Sequence, residues 1–251
     1  GTLQNGTAAA WARGCRAPLR ISDMGKLKIA TLHCFGSNPA KHATQRGHFT
    51  HCAAACAAHA DWIYPAGPNR LEPSVVHDLL RHDMGCTPEE VEAFGFEEPR
   101  CWFRFKDGRY EGLEACMSHL AEVCRRERPD GIAGYSNGGG AAILVAAARD
   151  GGHEDFQSIR FLMSFAGPTS PTLQAHIRSF LGSQRSRITI PTLIFGSRRD
   201  PMLANAEQMA QDLFEHCELA ITDEPRPYAN HALPESATSY EPVVRFLAAR
   251  A

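Results

Sequence analysis

The sequence predicts an α/β fold: a mostly parallel sheet flanked by helices on both faces. Short apolar runs alternate with stretches of helical periodicity, and one glycine-rich run joins a strand directly to an apolar helix. A chain of 251 residues, 43% of them hydrophobic, is long enough for a single well-filled core. Right-handed crossovers between the strands then follow from chain chirality.

The elements read in order as follows. The run Lys28-Ile29-Ala30-Thr31-Leu32-His33 is a first strand, and it ends at the turn formers of Cys34-Phe35-Gly36-Ser37-Asn38-Pro39. Residues 44–60 are alanine-rich and helical in pattern, and they feed a strand at Trp62-Ile63-Tyr64 that stops at Pro65-Ala66-Gly67-Pro68. Periodicity is then lost, so an irregular, lid-like insertion is expected at about 69–110, with Phe94, Phe96, Trp102, Phe103 and Phe105 inside it. A helix is expected over 111–128, closed by Pro129, and then a short strand, Gly131-Ile132-Ala133, ahead of the glycine-rich run and the helix 141–148. Further strands are expected at 161–165, 192–195 and 219–221, with helices at 204–216 and 240–250.

Composition narrows the partners. The net charge of −2, with Lys and Arg scattered, gives no basic field for nucleic acid, so a small molecule is the expected partner. The longest apolar stretch, 141–148, is too short to span a bilayer. Nine cysteines, an odd number without repeated spacing, suit free thiols in a reducing compartment, which makes a cytoplasmic location the default expectation. Residues 1–25 read as an appended or flexible segment ahead of one domain over 26–251, with Met24-Gly25 resembling a native start. A transit sequence there would imply an organelle instead. The sequon Asn5-Gly6-Thr7 would matter only in a secreted protein.

Chemistry concentrates at Gly134-Tyr135-Ser136-Asn137-Gly138. A sharp strand-to-helix turn there would hold the Ser136 hydroxyl exposed above the sheet, with glycines where side chains would clash. A serine hydroxyl is a poor nucleophile and needs a base oriented by an acid. Asp200 follows the expected strand at 192–195 and His231 follows the last one, in the order Ser, Asp, His; Asp223 is the alternative acid, since it also follows a strand. Backbone amides of Asn137 and of Phe35, in the loop after the first strand, are the expected donors to an oxyanion, and His33 helps to shape that loop. Trp102 and Phe103 either line an acyl pocket or belong to the core.

A competing pattern, His48-x-x-His51-Cys52-x-x-x-Cys56-x-x-His59, looks at first like a metal site. On a helix rising about 1.5 Å per residue its ends would lie roughly 16 Å apart, so one ion cannot collect all five. A pair such as His48 with Cys52 remains the alternative to a buried helix face, and no metal is expected.

Several segments together resemble the FSH family of serine hydrolases, which includes fungal enzymes and the ovarian cancer-associated protein 2 type, within the α/β-hydrolase superfamily. Leu32-His33-Cys34-Phe35-Gly36 resembles the family's Leu-His-Gly-aromatic start, and Trp102 followed by Tyr110-Glu111-Gly112-Leu113-Glu114 resembles its Trp and Tyr-x-Gly-Leu-Glu segment. Asp130-Gly131-Ile132-Ala133-Gly134-Tyr135-Ser136-Asn137-Gly138 resembles its elbow, and Ile190-Pro191-Thr192 through Gly196 and Asp200 resembles its acid loop. The resemblance implies an α/β-hydrolase fold and an esterase or thioesterase acting on acyl chains without a cofactor. Cys34, Tyr135, Trp102 and Phe103 are the expected substrate contacts. Cys34 stands where the family has Gly, and Asn230-His231 replaces Gly-Gly-His, so the oxyanion loop and the substrate scope are where this chain departs.

Overall fold

The computed structural model describes residues 25–168, 170–183, 185–200, 206–223 and 231–251. Its centre is a six-stranded sheet of β1 (Leu27–Leu32), β2 (Ala60–Ile63), β7 (Gly131–Tyr135), β8 (Phe161–Phe165), β9 (Thr192–Ser197) and β10 (Cys217–Thr222). The order is β10-β9-β8-β7-β1-β2 and every pairing is parallel. A parallel sheet needs a crossover between neighbours, so helices cover its two faces and the central strands are apolar throughout. β8 shows the division. Ser164 faces Gly139 on one side, while Phe165 meets Phe49 and Phe161 meets Phe246 on the other. All five of its residues are buried.

The crossover from β1 to β2 departs from the single helix expected over 44–60. It forms α1 (Pro39–Thr44) and α2 (Thr50–Ala55), and Gly47, with φ of +75°, turns the chain between them. Asn38 caps α1 by accepting from the Lys41 amide at 3.0 Å, with Pro39 in the first turn.

The expected irregular insertion at 69–110 is folded. It contains β3 (Asn69–Arg70) paired with β4 (Arg100–Cys101), the hairpin of β5 (Arg104–Lys106) and β6 (Arg109–Glu111), and the helices α3 (Pro73–Asp78) and α4 (Pro88–Phe94). Thr87 and Glu90 close a capping box at the start of α4. Backbone bonds from Gly36 to Arg100 (2.9 Å) and from Arg100 to Ser37 (3.0 Å) tie this segment to the loop after β1.

Two helices then flank the elbow strand. α5 (Leu113–Glu127) ends at Arg128, a residue with φ of +47° just before Pro129. α6 (Asn137–Asp150) is buried along most of its length. α7 (Pro171–Leu181) was not expected from periodicity. It is capped by Ser170, which accepts from the Leu173 amide at 3.2 Å. α8 (Ala206–Leu213) and α9 (Glu241–Ala248) lie within the expected helices. Among the described residues no helix is long and apolar enough to cross a membrane, and the eight cysteines are free thiols. The expected N-terminal segment, its sequon and Asn230 lie outside the described residues, save for Gly25.

Candidate active site

The serine is set by the turn between β7 and α6. Ser136 has φ 54° and ψ −118°, a conformation L residues rarely adopt. The turn closes because its neighbours are glycines: a Cβ at Gly134 would run into the Gly138 carbonyl, and one at Gly138 into the Leu32 carbonyl. The end of β1 and the start of α6 are thereby pressed together.

Asp200, in the turn after β9, and His231 converge on this serine. His231 Nε2 lies 2.7 Å from Ser136 Oγ, and His231 Nδ1 lies 2.8 Å from Asp200 Oδ2. A carboxylate only accepts, so Nδ1 carries the proton and Nε2 is free to accept from the serine hydroxyl. The acid and the imidazole are nearly fully buried, at 3% and 6% exposure, which strengthens the bonds between them. Asp223, the alternative acid, is elsewhere. It pairs with Arg198 at 3.2 Å in open solvent.

The loop after β1 is braced by His33. Its Nε2 accepts from the Gly67 amide at 2.9 Å, so Nδ1 carries the proton and donates to the Cys34 carbonyl at 2.8 Å. The Ser37 amide donates to that same carbonyl at 3.2 Å. A carbonyl fixed on one side of a planar peptide fixes the amide on the other, and that amide belongs to Phe35. Among the described residues the amides of Phe35 and Asn137 donate no hydrogen bond, so both remain available. The Cys34 thiol points inward, 4.0 Å from His48 Nδ1, and burial pushes it up to about 12.

Three of the four expected substrate contacts have buried structural partners instead. Trp102 has no exposed surface; its indole donates to the His33 carbonyl at 2.9 Å and its amide to Asn137 Oδ1 at 2.8 Å. Phe103 is 1% exposed, its carbonyl accepting from Asn137 Nδ2 at 2.9 Å. Tyr135 is 3% exposed and donates to the His231 carbonyl at 2.9 Å. Side chains with so little accessible surface cannot meet a ligand without rearrangement, and Cys34 at 5% is no better placed. The Asn137 side chain was missed by sequence reasoning. It clamps the link between β4 and β5, which carries Trp102 and Phe103, to the start of α6, across 34 and 35 residues of sequence.

The His48 motif is dispersed. His48 precedes α2, buried behind the loop and 3.5 Å from Ser37 Oγ, while Cys52 and Cys56 are buried within and beside the helix. Among the described residues no three metal-ligating groups cluster.

Burial keeps three histidines uncharged, lowering His33 to about 4, His48 to about 3, and His42 well below its usual value. In the unfolded chain each takes up a proton near 6.5, whereas the folded protein does not. Stability is therefore full above pH 6.5 and falls as pH drops from there toward about 4, by on the order of 1 kcal/mol per pH unit for each histidine. Urea midpoints measured from pH 7.5 to 4.5 check this. The expected result is a steady decline that Thr or Leu at these positions would flatten.

No curated protein matches the chain. Among solved structures, maize (Zea mays) acyl-protein thioesterase 2 superposes with a TM-score of 0.55 at 18% identity, covering 89% of this chain and 93% of that one. Dienelactone hydrolase from Anabaena variabilis superposes at 0.49 with 16% identity, covering 89% and 86%. The first likeness establishes an α/β-hydrolase fold. Residues 22–243 match the serine hydrolase (FSH1) family profile, and the chain belongs to that family of hydrolases.

Proposed function

We propose that this hydrolase cleaves carboxylic esters of acyl chains through an acyl-enzyme on Ser136. The observation that carries the reading is the pair of short hydrogen bonds joining Ser136, His231 and Asp200. Ser136 Oγ attacks the carbonyl carbon while His231 Nε2 takes its proton. Asp200 holds the imidazole and stabilises its charge. The amides of Phe35 and Asn137 donate to the oxyanion, each such donor contributing on the order of 3 kcal/mol. Collapse of the tetrahedral intermediate breaks the ester bond, and the alcohol leaves with the proton from Nε2. Water, deprotonated by the same nitrogen, then attacks the acyl-enzyme; the bond from the acyl carbon to Ser136 Oγ breaks, Oγ takes the proton back from Nε2, and the acid is released.

The same groups would serve a thioester of CoA or a carrier protein. Matched oxygen esters and thioesters with acyl chains of two to about sixteen carbons separate the two. Faster turnover of the oxygen esters along the series is the expected result. A consistent preference for the thioester at matched chain length would make the protein a thioesterase, and no turnover of either would make it a non-catalytic binder of acyl ligands or a partner protein.

A further inference from the structure

The residue before the nucleophile touches the base. Tyr135 ends β7, and its hydroxyl donates to the backbone carbonyl of His231 at 2.9 Å. Its ring lies against the His231 imidazole, centroids 5.5 Å apart at 33°, and meets His48 edge-on at 5.9 Å. His48 in turn sits behind the loop that carries Phe35.

His231 opens the segment 231–251, which is pinned further on. The Leu233 amide donates to the Gly47 carbonyl at 2.9 Å, and the Tyr240 hydroxyl to the Pro234 carbonyl at 2.6 Å. The first of these bonds ties the segment to the turn ahead of α2 and the second is internal to the segment; both lie past the imidazole. The Tyr135 hydroxyl acts on His231 itself, and it does so from the residue bonded to Ser136. Base and nucleophile are thus gauged from one strand end.

We infer that Tyr135 is a positioning residue: its hydroxyl fixes the His231 backbone so that the imidazole spans Ser136 Oγ and Asp200 Oδ2. The inference rests on the acyl-enzyme reading above. Misplacing a base by about 1 Å can cost on the order of a hundredfold in rate, and a single lost hydrogen bond shifts geometry by less than that.

Tyr135→Phe removes the hydroxyl and keeps the ring. Because His231 serves both half-reactions, acylation and deacylation should slow by a common factor of about fivefold to tenfold. KM, which depends on the ratio of the two steps, should then stay unchanged. The test is burst and steady-state kinetics on a 4-nitrophenyl ester, with burst amplitude counting the folded sites so that a partly unfolded sample is corrected. A raised KM with unchanged kcat would instead make Tyr135 a substrate contact, and unchanged rates for both steps would remove the tether's role. Either result overturns the inference. A folded wild type that a fluorophosphonate does not label at Ser136 overturns the acyl-enzyme reading, and this inference with it.

Discussion

Ser136→Ala is expected to lower kcat on an activated ester by at least about a thousandfold, leaving the fold intact. The size follows from what the hydroxyl is proposed to do: without it no covalent intermediate forms, and His231 and Asp200 have no nucleophile to activate. Residual turnover would come from substrate binding and from the amides of Phe35 and Asn137, the proposed oxyanion donors, acting on direct attack by water. Alanine is smaller than serine and loses one part-buried hydrogen bond, to His231, so the unfolding midpoint should move little. Alanine does not relieve the left-handed backbone at φ 54°, since it keeps a Cβ. Steady-state kinetics beside a thermal melt distinguish lost chemistry from lost structure.

Asp200→Asn against Asp223→Asn gives the second large effect. An amide at Asp200 can present its NH2 group to His231 Nδ1, forcing the proton onto Nε2, where it can no longer accept from Ser136. A loss of about a thousandfold to ten-thousandfold in kcat is expected, the order seen when a triad acid is neutralised. Asp223→Asn breaks an exposed ion pair with Arg198 and should leave kcat within about twofold. Equal losses in both variants, or a larger one in Asp223→Asn, would reassign the acid.

The strands were legible because a parallel sheet buried on both faces demands short, continuous apolar runs. Residues 161–165 were placed to the residue, and the strand at 28–33 within one. The glycines of the elbow were legible too, as local sterics in a turn of five residues. What failed was local structure decided by single residues. The alanine-rich pattern of 44–60 suggested one helix, yet Gly47 divides it. Helices of six and seven residues inside 69–110 are too short to show a period, although Thr87-Pro88-Glu89-Glu90 carried a readable capping box. The same holds for Ser170-Pro171 ahead of α7.

Within the site, the order of Ser136, Asp200 and His231 along the chain pointed to residues that the fold does bring together. The side-chain roles around them were not legible. Trp102 and Phe103 read as pocket walls because aromatic residues in a long insertion suit either a lid or a core. Their burial in the folded chain, at 0% and 1% exposure, places them in the core. Tyr135 likewise needs His231, 96 residues away, before its hydroxyl has a partner.

The central claim is that Ser136 is the residue acylated, and a fluorophosphonate probe tests it most directly. The folded wild-type chain, treated with the probe, digested and measured by mass spectrometry, should carry one phosphonyl group on the peptide containing Ser136. Ser136→Ala should carry none. An adduct on another residue, or an unlabelled wild type that is shown to be folded, would contradict the claim.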